Sequence, residues 1–302
     1  MATELTLQEA LAREIAKPQP EAVLVAARHA AARHGKAALG VIYYGSCLRT
    51  GQLADRILDF YIIVSDYASA YDNWLLAQAN RLLPPNVFYD EVEHDGLRLR
   101  SKYAVLSLSD LERRCRPDCR NVSVWARFSQ PTALLLCEDD EVRRRIVLAL
   151  GNAIETLLLA ARPLLPGPLQ SATLWSSAYD LTYGAELRSE PPGKGREIYL
   201  LDRARYDALF PLVTALMPKA VDVKDARRAR RQWLLRRIDG KIVSLLRLIK
   251  AAFTFDGGID YLAWKISRHS GVAIEITPWQ RRHPVLAGLA MFVRLRLRGA
   301  FR

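Results

Sequence analysis

The sequence predicts an α+β protein: a small mixed sheet interleaved with helices, then a mostly helical half, then a basic helical C-terminal segment. Three observations predict it. Apolar runs rich in β-branched and aromatic residues crowd between Ala37 and Phe128. From Glu138 onward the apolar spacing turns helical, broken at Pro- and Gly-rich points. The net charge of +12 is segregated: from Val221 to the end there are 18 Lys/Arg against 6 Asp/Glu, whereas residues 1–220 are neutral. The expected units are 1–135, 136–220 and 221–302.

Taken in order, Leu5 to Lys17 and Pro20 to His34 read as amphipathic helices, the second ending at Gly35. Ala37 to Tyr44 reads as a buried strand, Leu48 to Leu53 as a short irregular or helical piece, and Arg56 to Val64 as a second strand. Ala68 to Leu83 is helical up to Pro84-Pro85. Asn86 to Glu93 and Leu97 to Leu106 form a hairpin around His94-Asp95-Gly96, because Asp-Gly supplies the left-handed turn residues. Ser107 to Arg114 reads as a capped helix and Val122 to Phe128 as another strand. Long helical patterns follow over Glu138 to Arg162, Ser171 to Tyr183, Arg203 to Met217 and Ala226 to Phe253, with Ser189 to Gly195 as a loop. Ile259 to His269 and the tail from Pro284 are expected to be helical too, although the alternation of Arg294, Arg296 and Arg298 suits a strand better.

Half the residues are apolar, so a sizeable core is available. No basic segment followed by an apolar one opens the chain, so no secretory leader is expected. No uninterrupted apolar stretch reaches the roughly 20 residues that spanning a bilayer requires. The four cysteines lack zinc spacing and a disulfide framework, which suits reduced thiols in a cytoplasmic protein.

Chemistry is expected where Tyr43-Tyr44-Gly45-Ser46 is followed, thirteen residues after Ser46, by Asp59 in Ile57-Leu58-Asp59-Phe60. A Gly-Ser turn opening a helix offers N–H groups and a hydroxyl to phosphate oxygens. A carboxylate on the adjacent strand can hold Mg²⁺ against the same phosphates. This is the outline of a nucleotidyltransferase palm, with Gly45 and Ser46 as the cradle and Asp59 as a metal ligand. The usual second carboxylate, two residues on, is replaced by Tyr61. Asp95 and Glu93 are the natural substitutes, Asp55 and Asp66 the further alternatives. Lys102 is placed to reach the phosphates.

The ordered series Tyr44-Gly45-Ser46, Leu58-Asp59-Phe60, His94-Asp95-Gly96 with Lys102-Tyr103-Ala104-Val105-Leu106-Ser107, Ala126-Arg127-Phe128-Ser129-Gln130-Pro131, and Tyr183-Gly184-Ala185-Glu186-Leu187-Arg188 resembles the mitochondrial-type phosphatidate cytidylyltransferases, the translocator assembly and maintenance family, which has bacterial members. The Lys250-Ala251-Ala252-Phe253 and Lys265 to Gly271 stretches also look like the bacterial relatives. The resemblance implies transfer of CMP from CTP to phosphatidic acid with Mg²⁺ and release of pyrophosphate. It also implies a nucleotidyltransferase domain, a winged-helix-like helical domain and a membrane-binding C-terminus. On that basis Gly45 and Ser46 match the Gly-Ser motif and Asp59 the strand carboxylate. Asp95 and Lys102 fall in the Asp-Gly…Lys-Tyr block, and Arg127 and Arg188 would clamp the lipid phosphate or the pyrophosphate. The expected setting is cytoplasmic, peripheral on the inner face of an anionic membrane. Nucleic acid is not an expected partner. An RNA-binding protein on a degenerate nucleotidyltransferase fold, or a nucleotidyltransferase with a soluble small acceptor, are the alternatives. The mixture of apolar and basic residues around Trp233 and over Met291 to Arg298 suits an interfacial segment.

Overall fold

The computed structural model describes residues 5–53, 56–165, 167–186, 193–215, 217, 221–254, 277 and 279. Its helices are α1 (Leu7–Ile15), α2 (Glu21–Ala32), α3 (Ser46–Thr50), α4 (Tyr67–Ala70), α5 (Trp74–Leu82), α6 (Leu108–Cys115), α7 (Trp125–Phe128), α8 (Asp140–Ala161), α9 (Ser171–Tyr183), α10 (Lys194–Leu201), α11 (Arg203–Thr214) and α12 (Val223–Thr254). The strands are β1 (Ala38–Tyr44), β2 (Ile57–Val64), β3 (Asn86–His94), β4 (Leu97–Ser107) and β5 (Thr132–Cys137). They form one mixed sheet in the order β3-β4-β2-β1-β5, in which only β2 and β4 run parallel. The α+β expectation therefore holds.

Strand alternation sorts the sheet residues into two cores. Val41, Tyr43, Phe60, Ile62, Tyr103 and Val105 face α2, where Val23, Ala26, Ala27 and Ala30 form a small-residue stripe that lets the helix lie close. Ile42, Tyr44, Tyr61, Ile63, Ala104 and Leu106 face the other way, into a larger core with α1, α6, α7, α8, α9 and α11. That core runs without interruption from the sheet to Trp233 on α12. Helix α8 is long and apolar enough to cross a bilayer by composition, but 67% of its apolar window is buried inside the protein.

Several elements differ from the sequence reading. Ala68 to Leu83 is two helices, not one, because Asn73 turns the chain and caps α5 by accepting from the Leu75 N–H at 2.9 Å. Val122 to Phe128 is not a strand. Its N–H groups bond four residues back, Ala126 to Val122 at 2.9 Å and Phe128 to Val124 at 3.0 Å. Its near-continuous burial fits helix and strand equally, so periodicity gave no discrimination. The strand is instead Thr132–Cys137, which pairs antiparallel with β1. The loop expected to end at Gly195 gives way to α10 at Lys194. Trp233 is buried rather than interfacial: its indole N–H donates to the Ala160 carbonyl at 2.9 Å. The expectations for Ile259 to His269 and for the tail lie outside the described residues.

Candidate functional site

Strands β1 and β2 meet where the Gly-Ser turn leaves the sheet. Tyr44 pairs with Asp59 across the antiparallel register, and Asp59 pairs with Lys102 across the parallel one. All three side chains emerge on the α8 side of the sheet, as Tyr61 does further along β2. Lys102 Nζ lies 3.1 Å from Asp59 Oδ1. Gly45 has φ +92°, and a Cβ there would stand 2.9 Å from Asp59 Oδ2. Only glycine lets the turn adopt this conformation and the carboxylate approach so closely. Ser46, exposed, opens α3 directly after it.

Arg127 closes the inner side. Its Nε is buried, and its guanidinium sits 4.9 Å from the centroid of the Tyr44 ring. Burial disfavours its charge, but the carboxylates of Glu186 and Asp59 favour it, and the guanidinium stays protonated. Burial pushes the Tyr44 phenol far up, so it stays neutral beside the cation. The Arg127 Nε has no protein partner although it is buried. An unpaired buried donor of this kind is costly and suits an anion or a water.

Of the residues expected at the site, Gly45, Ser46, Asp59, Lys102 and Arg127 gather here. Asp95 does not. It occupies the β3–β4 turn with φ +50°, 85% exposed, near His94 at 3.4 Å. Leu97, just past that turn, is five residues from Lys102, about 17 Å along the strand. Asp95 is thus a left-handed turn residue, too far from Asp59 to share a metal ion with it. Glu93 faces Arg98 at 3.6 Å on the same hairpin, and Asp66 caps α4 beyond the other end of β2. Arg188 and Asp55 lie outside the described residues. Tyr61, where a second carboxylate might stand, is a core residue packed edge-on against Phe128 at 4.9 Å.

Two residues escaped the sequence reading. Glu186 is a carboxylate from the helical half whose charge, like that of Asp59, acts on Arg127. It stands in the Tyr183 to Arg188 block, so its position was the available signal. Arg247, on α12, donates to the Pro84 carbonyl at 2.9 Å and to Ser123 Oγ at 2.7 Å, and lies within electrostatic reach of Tyr61, Glu186 and Arg127. Its Nη2 is buried without a partner.

Among the described residues no group of three or more His, Cys, Asp or Glu side chains gathers as a metal site. One carboxylate at the cradle still fits Mg²⁺ delivered on a polyphosphate, since that ion takes most of its ligands from phosphate and water. The chain matches no protein-family model and no curated protein.

Proposed function

We propose that the chain is a phosphatidate cytidylyltransferase, forming CDP-diacylglycerol from CTP and phosphatidic acid at an anionic membrane surface. The observation that carries the reading is the Asp59–Lys102 pair seated against Gly45, a carboxylate and an ammonium 3.1 Å apart at the mouth of a glycine turn. A lone ion pair needs no glycine beside it. A triphosphate site needs all three: room for phosphate oxygens, a carboxylate for the cation and a lysine for the charge. In this reading the sheet is a nucleotidyltransferase palm, and the following helices are a winged-helix-like unit.

Gly45 and Ser46 would hold the triphosphate, with Lys102 leaving Asp59 to contact it. Mg²⁺, when bound, would supply charge neutralisation at the triphosphate, and Asp59 is the residue that would hold it, with Glu186, whose charge also acts on Arg127, a candidate for a further carboxylate. A phosphate oxygen of the lipid forms a bond to the α-phosphorus of CTP as the α–β bridging bond breaks, and pyrophosphate leaves with that electron pair. The nucleophile is already anionic near neutral pH, so the residues have to position and neutralise rather than abstract a proton. Arg127, with its unsatisfied Nε, is suited to neutralising the acceptor phosphate or the pyrophosphate.

The test is incubation of the full chain with labelled CTP, Mg²⁺ and phosphatidic acid in mixed micelles. A CDP-lipid that forms with wild type and not with Asp59→Asn supports the reading. No product from wild type, or tight RNA binding in its place, removes it.

A further inference from the structure

We propose that Arg247 of α12 and Arg127 of α7 together bind the phosphomonoester headgroup of the acceptor, in a site separate from the triphosphate cradle. The inference rests on the reading above and deepens it, because it assigns the acceptor's anion to residues from two distant parts of the chain.

Local geometry brings the two arginines together. Residues 122–128 turn helically, with the Ala126 N–H bonded to the Val122 carbonyl at 2.9 Å and that of Phe128 to Val124 at 3.0 Å. Ser123 and Arg127 are therefore four residues apart on one side of that turn, roughly 5–6 Å between Cβ atoms. Arg247 donates from Nη1 to Ser123 Oγ at 2.7 Å and from Nε to the Pro84 carbonyl at 2.9 Å. Its guanidinium is thus fixed one helical turn from Arg127. Lys250, further along α12, anchors the helix behind it by donating to the Pro85 carbonyl at 2.7 Å and to Asn86 Oδ1 at 3.0 Å.

Each guanidinium keeps a buried N–H without a partner, Nε in Arg127 and Nη2 in Arg247. Burial disfavours the Arg247 cation, and so do the like charges of Arg114 and Arg127, while Glu186 opposes them. Glu186 acts on Arg127 as well, and Asp59, which also acts there, is already paired with Lys102. Two cations and two unpaired donors are thus left side by side. Both residues are half-buried rather than sealed in the core.

Those features select the ligand. An ordered water would accept from the donors and leave both charges unneutralised. A phosphodiester brings one charge and two unsubstituted oxygens. A phosphomonoester brings a charge of about −1.5 to −2 and three such oxygens, enough for two planar forks arriving from different elements. Tyr61, which lies within electrostatic reach of both arginines, is two residues along β2 from Asp59, about 7 Å. The pair therefore sits beside the cradle rather than in it. In-line displacement puts the incoming phosphate across the α-phosphorus from the pyrophosphate, so the acceptor needs cations of its own.

The full chain should bind labelled inorganic phosphate in equilibrium dialysis slightly above neutral pH, without CTP or Mg²⁺. Glycerol 3-phosphate, a monoester, should compete about tenfold or more better than dimethyl phosphate, a diester. Arg247→Met and Arg127→Met should each weaken phosphate binding about tenfold or more, and Ser123→Ala, which frees Arg247, by a smaller factor. Arg120→Met, exposed and paired with Asp239 at 3.1 Å, should leave it unchanged. Arg247→Lys keeps a cation against the fold and should lose the preference for the monoester. In turnover of short-chain phosphatidate, Arg247→Met should raise KM for phosphatidate and leave inhibition by pyrophosphate near wild type. The proposal is overturned by a wild type that binds no phosphate, by equal competition from dimethyl phosphate, or by wild-type binding in Arg247→Met. A changed pyrophosphate inhibition with an unchanged KM for phosphatidate overturns it too. A chain that binds phosphate in this way but makes no CDP-lipid removes the cytidylyl transfer alone. One whose Arg247→Met variant forms CDP-lipid like wild type removes the arginine pair alone.

Discussion

The Arg127 guanidinium lies over the Tyr44 ring, 4.9 Å from its centroid, one residue ahead of the glycine that receives Asp59. A buried cation with an unpaired Nε contributes little to folding, because its desolvation offsets what the ring and the distant carboxylates return. Arg127→Met should therefore stay within about 1 kcal/mol of wild type in urea unfolding. CDP-lipid formation should fall by about a hundredfold or more. A large loss of stability with activity retained would make Arg127 a structural residue only.

Gly45→Ala should be damaging in a way that Gly51→Ala is not. Both glycines have positive φ, +92° and +67°, so both substitutions strain the backbone by about 1–3 kcal/mol. Only at position 45 does the added methyl meet Asp59, at 2.9 Å, whereas nothing lies within 4 Å at position 51. Equilibrium dialysis with CTP and Mg²⁺ should show weakened binding for Gly45→Ala and near-normal binding for Gly51→Ala.

Asp59 and Lys102 should separate kinetically. Asp59→Asn keeps the shape and removes the charge that would hold the cation, so turnover should drop by about two orders of magnitude at any Mg²⁺ concentration. Lys102→Met should act mainly on KM for CTP, since in the proposed reaction the lysine would neutralise ground-state phosphate as well as the transition state. Equal effects on kcat from both substitutions would place Lys102 in the chemical step.

His34 gives the fold an acid-sensitive point away from the site. The ring is buried among Tyr71, Phe88 and Tyr103, its Nδ1 is 2.9 Å from the Ala70 carbonyl, and its Nε2 has no partner. Burial holds its pKa below the ordinary 6.5, with the Ala70 contact opposing and Arg33 assisting. The unfolded chain therefore takes up a proton that the folded chain resists. Stability should fall as pH drops below 6.5, by up to about 1.4 kcal/mol per pH unit until the folded ring also protonates. Chemical denaturation of His34→Gln across pH 7 to 5 should give a shallower slope than wild type.

The strands carrying the site were legible because their chemistry is local. Alternation, Asp-Gly and the Gly-Ser turn are read within a few residues, and the parallel register then brings Lys102 to Asp59. Asp95 misled because Asp-Gly is equally a hairpin turn, and sequence alone does not measure how far a turn stands from the sheet edge. Val122–Phe128 reads as a strand while the true strand Thr132–Cys137 goes unsignalled, because both are short apolar runs whose state is set by which neighbour they pack on. Glu186 and Arg247 were out of reach for another reason. Their proximity to Arg127 depends on how α9 and α12 fold back over the sheet.

Helix α3 carries Ser46, and its Arg49 donates to Asp202 Oδ2 at 2.7 Å and to Gln130 Oε1 at 2.8 Å. The Asp202 carboxylate comes from the junction of α10 and α11, 153 residues later in the chain. An N-terminal fragment containing the whole sheet would still possess the glycine turn and the buried Cys47 that seats the short helix, but with Arg49 stripped of its counter-charge. The helix that follows the glycine turn thus gains its full set of polar contacts only with the helical half in place, so the turn and its strands are not an independent module.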